Sequence, residues 1–310
     1  MARPLRFVAP DAVVEITTRT VHGRLLLRPS PTVNDLILGV LGRAQHLFGV
    51  QIHAFVALSN HMHLLASVRD AAQLASFMSF VNGNIAREVG RLHGWRERFW
   101  GRRYRAIVVA DETAQIDRLR YILGNGVKEG LVPTPRDWPG CSSVAALTTG
   151  AKLIGTWYDR SSEYRARRRG ETVKRTDFQT SYPIALSPLP CWRHLAVQDH
   201  RKACAELVTS IEADARFARI ESGRAFRGMR DILTVNPHDL PTHVDKSPAP
   251  FVHASSALVR RAFKAAYSAF VDAFRAAAAA LRRGAEDVQF PLAAFPPALP
   301  FIAAPPAAAG

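Results

Sequence analysis

Two histidines separated by one residue, His61 and His63, are the first residues whose types and spacing favour chemistry. Side chains two positions apart on a β-strand point to the same face, so the pair directs two imidazoles to one place. Met62, Leu64 and Ala66 would then face the opposite side, toward a core. Two imidazoles on one face make half of a metal site. Two unrelated surface histidines among the eleven in the chain would give the same pattern.

A tyrosine and an asparagine, Tyr121 and Asn125, form the second candidate pair. They are four residues apart on a helix predicted over 112–125, so their side chains are neighbours. At about 100° per residue they lie well away from the apolar stripe of that helix, which consists of Ile116, Leu119 and Leu123. This position argues against a plain core role for Tyr121, although a half-buried structural tyrosine stays open.

A basic and aromatic segment, WRERFWGRRYR at residues 95–105, precedes that helix. Arginines neutralise phosphates, and aromatic rings stack on unpaired bases. Together with an arginine beside Tyr121, the segment supplies the predicted DNA-binding residues Trp100, Arg102, Arg103, Arg105 and Arg118. The alternative is a helix-to-strand loop held in place by buried aromatic rings.

The charge balance also favours a polyanionic partner. The 310 residues include 41 Lys+Arg and 26 Asp+Glu, for a formal net charge of +15. Such a balance indicates nucleic acid or an anionic membrane surface, or else only an Arg-rich genome. The three cysteines form no C-x-x-C pair, which fits a reducing compartment. With no predicted signal peptide and no apolar run long enough for a membrane helix, we expect a cytoplasmic protein without membrane association.

The elements that must position these residues follow the order β-α-β-β-α-β-α. Alternating and helical periodicities predict strands at 12–20, 51–58, 62–68 and 104–109, and helices at 32–48, 71–93 and 112–125. The first six elements match the ferredoxin-like split β-α-β arrangement, a mainly antiparallel sheet covered by two helices on one face. The predicted fold class is therefore α+β.

The organisation changes after about residue 150. We predict one domain over 1–150, a mostly helical C-terminal extension over 151–289 and a Pro/Ala-rich irregular tail over 290–310. Helices are predicted at 197–221 and 255–283, and the aromatic stripe of the second one favours packing over ligand binding. The arginine run at 165–169 is typical of a solvated stretch.

Three segments of the first 150 residues resemble one known family. IHAFVALSNHMHLL at 52–65 is similar to the histidine-hydrophobic-histidine signature of HUH-superfamily single-tyrosine transposases. RYILGNGVKEGLV at 120–132, followed by DWP and CSS, resembles the tyrosine helix of that family and the segment after it. FWGRRYRAIVV at 99–109 is similar too. The chain most resembles the REP-associated tyrosine transposases and related small insertion-sequence transposases.

This resemblance implies a role for each candidate residue. His61, His63 and Asn125 would hold Mg²⁺ or Mn²⁺, and Tyr121 would attack a phosphate of single-stranded or hairpin DNA to form a 5′-phosphotyrosine intermediate. The sequence leaves open whether the site lies within one chain or is shared across a homodimer. Two departures, Gly126 and Ser59 where the family favours Pro, change no reacting group but affect local rigidity.

Two other functions remain as alternatives. A domesticated, non-catalytic nucleic-acid-binding protein of the same fold would keep the charge but not the chemistry. A zinc-dependent hydrolase or deaminase would use His61 and His63, but it lacks the usual H-x-x-x-H or C-x-x-C partners, and Cys141 is a poor substitute.

Overall fold

The first half of the chain follows the predicted order of strands and helices. A computed structural model describes residues 5–223, 225–241 and 250–295. Its first elements are β1 (Ala12–Arg19), α1 (Pro31–Phe48), β2 (Gln51–Ala57), β3 (His61–Val68), α2 (Ala71–Leu92), β4 (Arg105–Val108) and α3 (Glu112–Leu123), with a 3-10 turn at Val21–Gly23. The α+β class and the ferredoxin-like arrangement are confirmed.

The central sheet is antiparallel, with strand order β2-β3-β1-β4. Alternation along β3 sends Met62, Leu64 and Ala66 into the core that α1 and α2 cover. Leu65 points to the other face, where Leu119, Ile122 and Leu123 of α3 pack. The two faces of the sheet therefore have separate cores, and His61 and His63 share the face that α3 covers.

Side-chain caps fix where helices α1, α2 and α3 begin. Ser30 Oγ accepts from Val33 N at 3.1 Å, Asp70 Oδ1 accepts from Gln73 N at 2.7 Å, and Asp111 Oδ1 accepts from Ala114 N at 2.9 Å. Each cap satisfies a backbone donor that the first helical turn leaves free. The cap at Asp111 was predicted, and it sets the position of α3.

The predicted helix over 112–125 is too long by two residues. Helix α3 ends at Leu123, Gly124 follows, and a separate turn, α4 (Asn125–Lys128), begins at Asn125. Gly126, expected just beyond the helix, lies inside α4 and packs against Val132 and Trp138. The helix is interrupted at Gly124, so Asn125 belongs to a separate helical turn from Tyr121.

The extension is mostly helical, as predicted, and also contains a two-stranded antiparallel sheet that the sequence analysis did not anticipate. Before the extension lie a short 3-10 segment at Pro135–Asp137 and helix α5 (Val144–Thr149). The extension itself has 3-10 segments at Arg175–Phe178 and Pro190–Trp192, and its longer elements are β5 (Ile154–Tyr158), α6 (Arg160–Arg168), β6 (Gln179–Pro183), α7 (Val197–Ser222), α8 (Met229–Thr234) and α9 (Ala257–Arg282).

Both edges of the central sheet are covered by backbone of the extension. At the β2 edge, Leu186 forms a parallel bridge with Ile52, and Ser187 N donates to Ile52 O at 2.8 Å. At the β4 edge, His253 N donates to Val108 O and Ala110 N donates to His253 O, both at 2.9 Å. Uncovered sheet edges invite pairing with other chains, so these segments complete the sheet.

The aromatic stripe of α9 packs against the N-terminal segment, as predicted. The ring of Phe7 lies 5.4 Å from Phe263 and 4.9 Å from Phe270. In the predicted tail, residues 290–295 form no helix or strand, but Phe290 contacts Phe274 at 5.1 Å between ring centroids. Residues 296–310 lie outside the described residues.

No helix in the described ranges combines the length and apolar character needed to cross a membrane.

Helix α1 and strand β5 approach at backbone distance through Gly39 and Gly155. A Cβ on Gly39 would lie 2.1 Å from Thr156 O, so we expect Gly39→Ala to lower the free energy of unfolding by about 3 kcal/mol or more. Gly83 of α2 is an exposed control with nothing within 4 Å of its Cβ position. Gly83→Ala should raise stability by about 0.5–1 kcal/mol through helix propensity. Chemical denaturation of both variants tests this contact, and equal effects would contradict it.

His53 is a buried structural histidine of β2. Its Nδ1 lies 2.9 Å from Ser187 O, and its Nε2 lies 2.8 Å from Ser67 Oγ. Burial lowers the pKa of His53 to about 4. The residue therefore holds the extension to the edge of the sheet in its neutral form.

This low pKa predicts a pH-dependent stability. The unfolded chain binds a proton at His53 near pH 6.5, whereas the folded chain binds it only near pH 4. The stabilisation is complete above pH 6.5 and is lost as the pH falls, by up to about 3 kcal/mol. Denaturation curves at pH 7, 5.5 and 4.5 should show a shallower decline for His53→Gln than for the wild type. Parallel declines would contradict this assignment.

Candidate active site

His61, His63 and Tyr121 meet on the face of the sheet that α3 covers. The rings of His61 and His63 are 5.0 Å apart between centroids, and those of His63 and Tyr121 are 5.4 Å apart. The strand geometry expected for H-x-H supplies the first contact, and the packing of α3 supplies the second. Residues from β3 and α3, 58 positions apart in sequence, therefore converge (121 − 63).

Each histidine has an oxygen partner at Nδ1. His61 Nδ1 lies 2.6 Å from Asn60 Oδ1, and His63 Nδ1 lies 2.9 Å from Glu15 Oε1. An Nδ1–H that donates to such an oxygen leaves the lone pair of Nε2 free. Burial, followed by the charges of His63 and Arg19, holds the pKa of His61 well below its usual range. His61 is therefore neutral near pH 7, as a metal ligand must be.

Glu15 connects several parts of the site. This buried carboxylate contacts His63 through Oε1, and its Oε2 lies 2.7 Å from His253 Nε2 and 3.5 Å from Arg118 Nη1. Burial alone would raise the pKa of Glu15, but the contacts with His253 and His63 hold it well below its usual range. The side chain is therefore a charged carboxylate whose partners come from three elements.

Asn125 is completely buried, at 0% exposure, and lies beside His61. The prediction placed it off the apolar stripe of α3, whereas the structure buries it against His61. Neither atom of its amide forms a well-oriented hydrogen bond among the described residues, although the amide lies close enough to His61 to interact with that ring. A buried amide without partners costs about 1–3 kcal/mol, so its retention here points to a ligand that the amide oxygen would bind.

Tyr121 lies between two cations. Lys128 Nζ is 3.4 Å from the phenolic oxygen of Tyr121, and the Arg118 guanidinium lies over its ring at 4.6 Å. The tyrosine is only partly buried, so a substrate can reach its hydroxyl. Lys128 extends from α4, the same turn that carries Asn125.

Two imidazoles and one amide fit a divalent metal better than a zinc site built on cysteine. In the described ranges, no three His, Cys, Asp or Glu side chains are placed to hold a metal ion. The available donors are the Nε2 atoms of His61 and His63 and the unpartnered amide oxygen of Asn125. Cys141 packs in the core on the opposite face of the sheet, and its Sγ donates to Asn34 O. The zinc alternative therefore has no third ligand at Cys141.

The five predicted DNA-binding residues lie in two places. Arg118 contacts Tyr121, and Arg105 pairs with Thr17 and therefore shares the face of His63. Trp100, Arg102 and Arg103 instead line a groove beside α2, on the other face. Trp100 is partly buried and donates to Asn82 O at 2.8 Å, which is the loop-anchoring role that the alternative foresaw.

The comparisons with known proteins agree with this geometry. Residues 26–125 match the family model described as "Transposase IS200 like". The matched segment, about a third of the chain, is thus similar to IS200-like transposases. The resemblance predicted from the sequence is confirmed, and the matched segment contains His61, His63, Tyr121 and Asn125. The match supports a DNA transposase function. No curated protein is significantly similar to the chain.

Two solved structures are similar to parts of this chain. One, titled as a REP-associated tyrosine transposase bound to a REP hairpin, is 19% identical, covers 46% of this chain and 82% of its own, and has a TM-score of 0.38. The other, a putative transposase from Deinococcus radiodurans R1, is 19% identical, covers 38% of this chain and 94% of its own, and has a TM-score of 0.28.

Sequence reasoning missed several residues of the candidate site, namely Glu15, Arg19, Asn60, Lys128 and His253. Glu15 had a signal, because a lone carboxylate within the β-branched strand AVVEITTR is costly to bury without partners. Lys128 had a weaker signal, namely its spacing of two helical turns after Tyr121. His253 had none, since only the fold brings it to β4.

The buried amide of Asn125 predicts opposite effects on stability and on metal binding. Asn125→Leu keeps the branched shape and removes both unpartnered polar atoms, so the metal-free protein should gain about 1–3 kcal/mol in free energy of unfolding. The same variant should lose the rise in Tm that Mn²⁺ gives the wild type. Thermal denaturation with and without Mn²⁺ measures both. A destabilised variant that keeps the Mn²⁺ effect would contradict the prediction.

Proposed function

We propose that this protein is a metal-dependent tyrosine transposase that cuts and rejoins single-stranded or hairpin DNA. The observation that carries the proposal is the convergence of Tyr121 with two imidazoles, each held at Nδ1 by an oxygen partner, and with the buried amide of Asn125. A structural tyrosine would need none of these neighbours.

The reaction is a transfer of one phosphodiester linkage. The phenolic oxygen of Tyr121 attacks phosphorus, an O–P bond forms to the tyrosine, and the bond from phosphorus to the 3′ oxygen breaks. The phenolic proton leaves, and the departing 3′ oxygen takes up a proton. A 3′ hydroxyl that later attacks the 5′-phosphotyrosine reverses these steps on the same or another strand, so no nucleotide cofactor is needed.

A divalent ion such as Mg²⁺ or Mn²⁺, held by His61, His63 and Asn125, would polarise the phosphate oxygens when bound. The chain's own residues do the rest. Lys128 is placed to donate to the Tyr121 oxygen as it loses its proton. Glu15 and Asn60 hold His63 and His61 with Nε2 directed away from their Nδ1 partners.

The proposed DNA path follows positive charge on the face of the histidines. Arg19 pairs with His61 in the sheet register, Arg105 pairs with Thr17, and Arg118 lies over Tyr121. These cations surround the phosphate that Tyr121 would attack. The groove lined by Trp100, Arg102 and Arg103 would contact a more distant part of the same DNA.

Replacing the nucleophile gives the direct test. The wild type, incubated with a labelled hairpin-bearing single strand and Mn²⁺, should form a covalent protein–DNA band on a denaturing gel. Tyr121→Phe should lose the band entirely, because it lacks the attacking oxygen, yet should bind the DNA with about the same affinity. A band that persists in Tyr121→Phe would remove Tyr121 from the proposed role.

The matched control is Tyr164→Phe on α6, since Tyr164 is 63% exposed and lies outside the site. This variant should form the adduct as the wild type does. If the wild type binds the strand, with an affinity that falls steeply with salt, but forms no adduct with any strand or metal tested, then the non-catalytic binding protein is the better description.

A further inference from the structure

The C-terminal extension reaches the proposed metal site through one side chain. His253 precedes α9 and lies well beyond residues 26–125, the segment that matches the transposase family. Its Nε2 lies 2.7 Å from Oε2 of the buried Glu15, whose Oε1 contacts His63 Nδ1 at 2.9 Å. The two imidazoles therefore contact opposite oxygens of one carboxylate, His63 through a hydrogen bond and His253 at ion-pair distance without a well-aligned hydrogen bond.

We propose that His253 is a positioning residue of the active site: it holds the carboxylate of Glu15 so that Glu15 fixes the orientation of the metal ligand His63. The proposal rests on the proposed function, because it assigns a role to a contact of a proposed metal ligand. It extends the site beyond the family segment and gives the extension a part in the chemistry.

Hydrogen bonds at His253 itself and at Ser255 fix the backbone that carries the His253 side chain. His253 N and O bond to Val108 and Ala110 at the edge of β4. Two residues later, Ser255 N donates to Asp111 Oδ2 at 2.8 Å, and Asp111 also caps α3. The segment that carries His253 is thus tied to the helix that carries Tyr121.

Glu15 needs such a partner because its carboxylate is 4% exposed and has two oxygens to satisfy. On the Oε1 side of Glu15 lies His63, whose Nδ1 is also 3.2 Å from Thr17 Oγ1. On the other side, Arg118 is 3.5 Å from Oε2 and is shared with the ring of Tyr121. His253 is the closer partner of Oε2, so its loss would free the carboxylate to rotate toward Arg118.

Outer partners of metal-binding histidines commonly change metal affinity by about 10- to 100-fold when removed. Since His253 acts through Glu15, we expect His253→Ala to raise the Kd for Mn²⁺ about tenfold in the full-length protein. Isothermal titration with Mn²⁺ alone measures this without DNA or catalysis. His253→Gln keeps an N–H donor of similar reach and should bind within about threefold of the wild type.

The matched control is His238→Ala. His238 also belongs to the extension, and its Nε2 lies 2.9 Å from His93 O, away from the site. This variant should bind Mn²⁺ as the wild type does. If His253→Ala does not fold, His253→Asn replaces it. The asparagine side chain is one methylene shorter than that of His253→Gln and does not reach Glu15. Tenfold weaker Mn²⁺ binding by His253→Asn than by His253→Gln supports the proposal.

Three results would overturn the proposal, and they differ in meaning. Unchanged Mn²⁺ affinity in His253→Ala, or in His253→Asn, would overturn this inference alone. A wild type that binds no Mn²⁺, or that binds it equally well after His61→Ala, would overturn the proposed metal site and this inference with it. Equal weakening in His253→Ala and His238→Ala would show only a general effect of the extension and would also overturn the assigned role.

Discussion

A carboxylate buried in the middle of a β-sheet is stable only if charged or donor groups surround it, and this constraint organises the site around Glu15. His63, His253 and Arg118 approach its two oxygens from β3, from the segment before α9 and from α3. Two of these partners also have a second role, because His63 is a candidate ligand and Arg118 covers Tyr121. The burial of one charge therefore ties together three parts of the chain that are far apart in sequence.

Sequence periodicity could predict the sheet and its helices because each element buries one face, and the burial pattern repeats every two or 3.6 residues. The strand 62–68 and the helix 32–48, for example, are found at His61–Val68 and Pro31–Phe48. The two-stranded sheet of β5 and β6 carries no such signal. It depends on a close backbone approach between Gly39 and Gly155, which are far apart in sequence.

The candidate site shows the same division. His61 and His63 share a strand, so local geometry sufficed to place them on one face. The burial of Asn125 could not be predicted in this way, because it depends on the packing of α4 beside His61 and not on the periodicity of α3. His253 depends on a bridge between β4 and a segment 144 residues away (253 − 109), and no local pattern encodes such a contact.

The extension packs along the central sheet and forms part of its hydrogen bonding. It supplies backbone partners to both edges, through Leu186 at β2 and His253 at β4. An edge strand with free N–H and C=O groups is prone to pair with other chains, and covering it removes that risk. The segment that carries His253 is already ordered by its hydrogen bonds to the β4 edge. Placing the His253 side chain beside Glu15 therefore costs little further conformational entropy. Edge protection and site assembly can thus arise from the same few hydrogen bonds, which explains how a part of the chain outside the family segment comes to touch its chemistry.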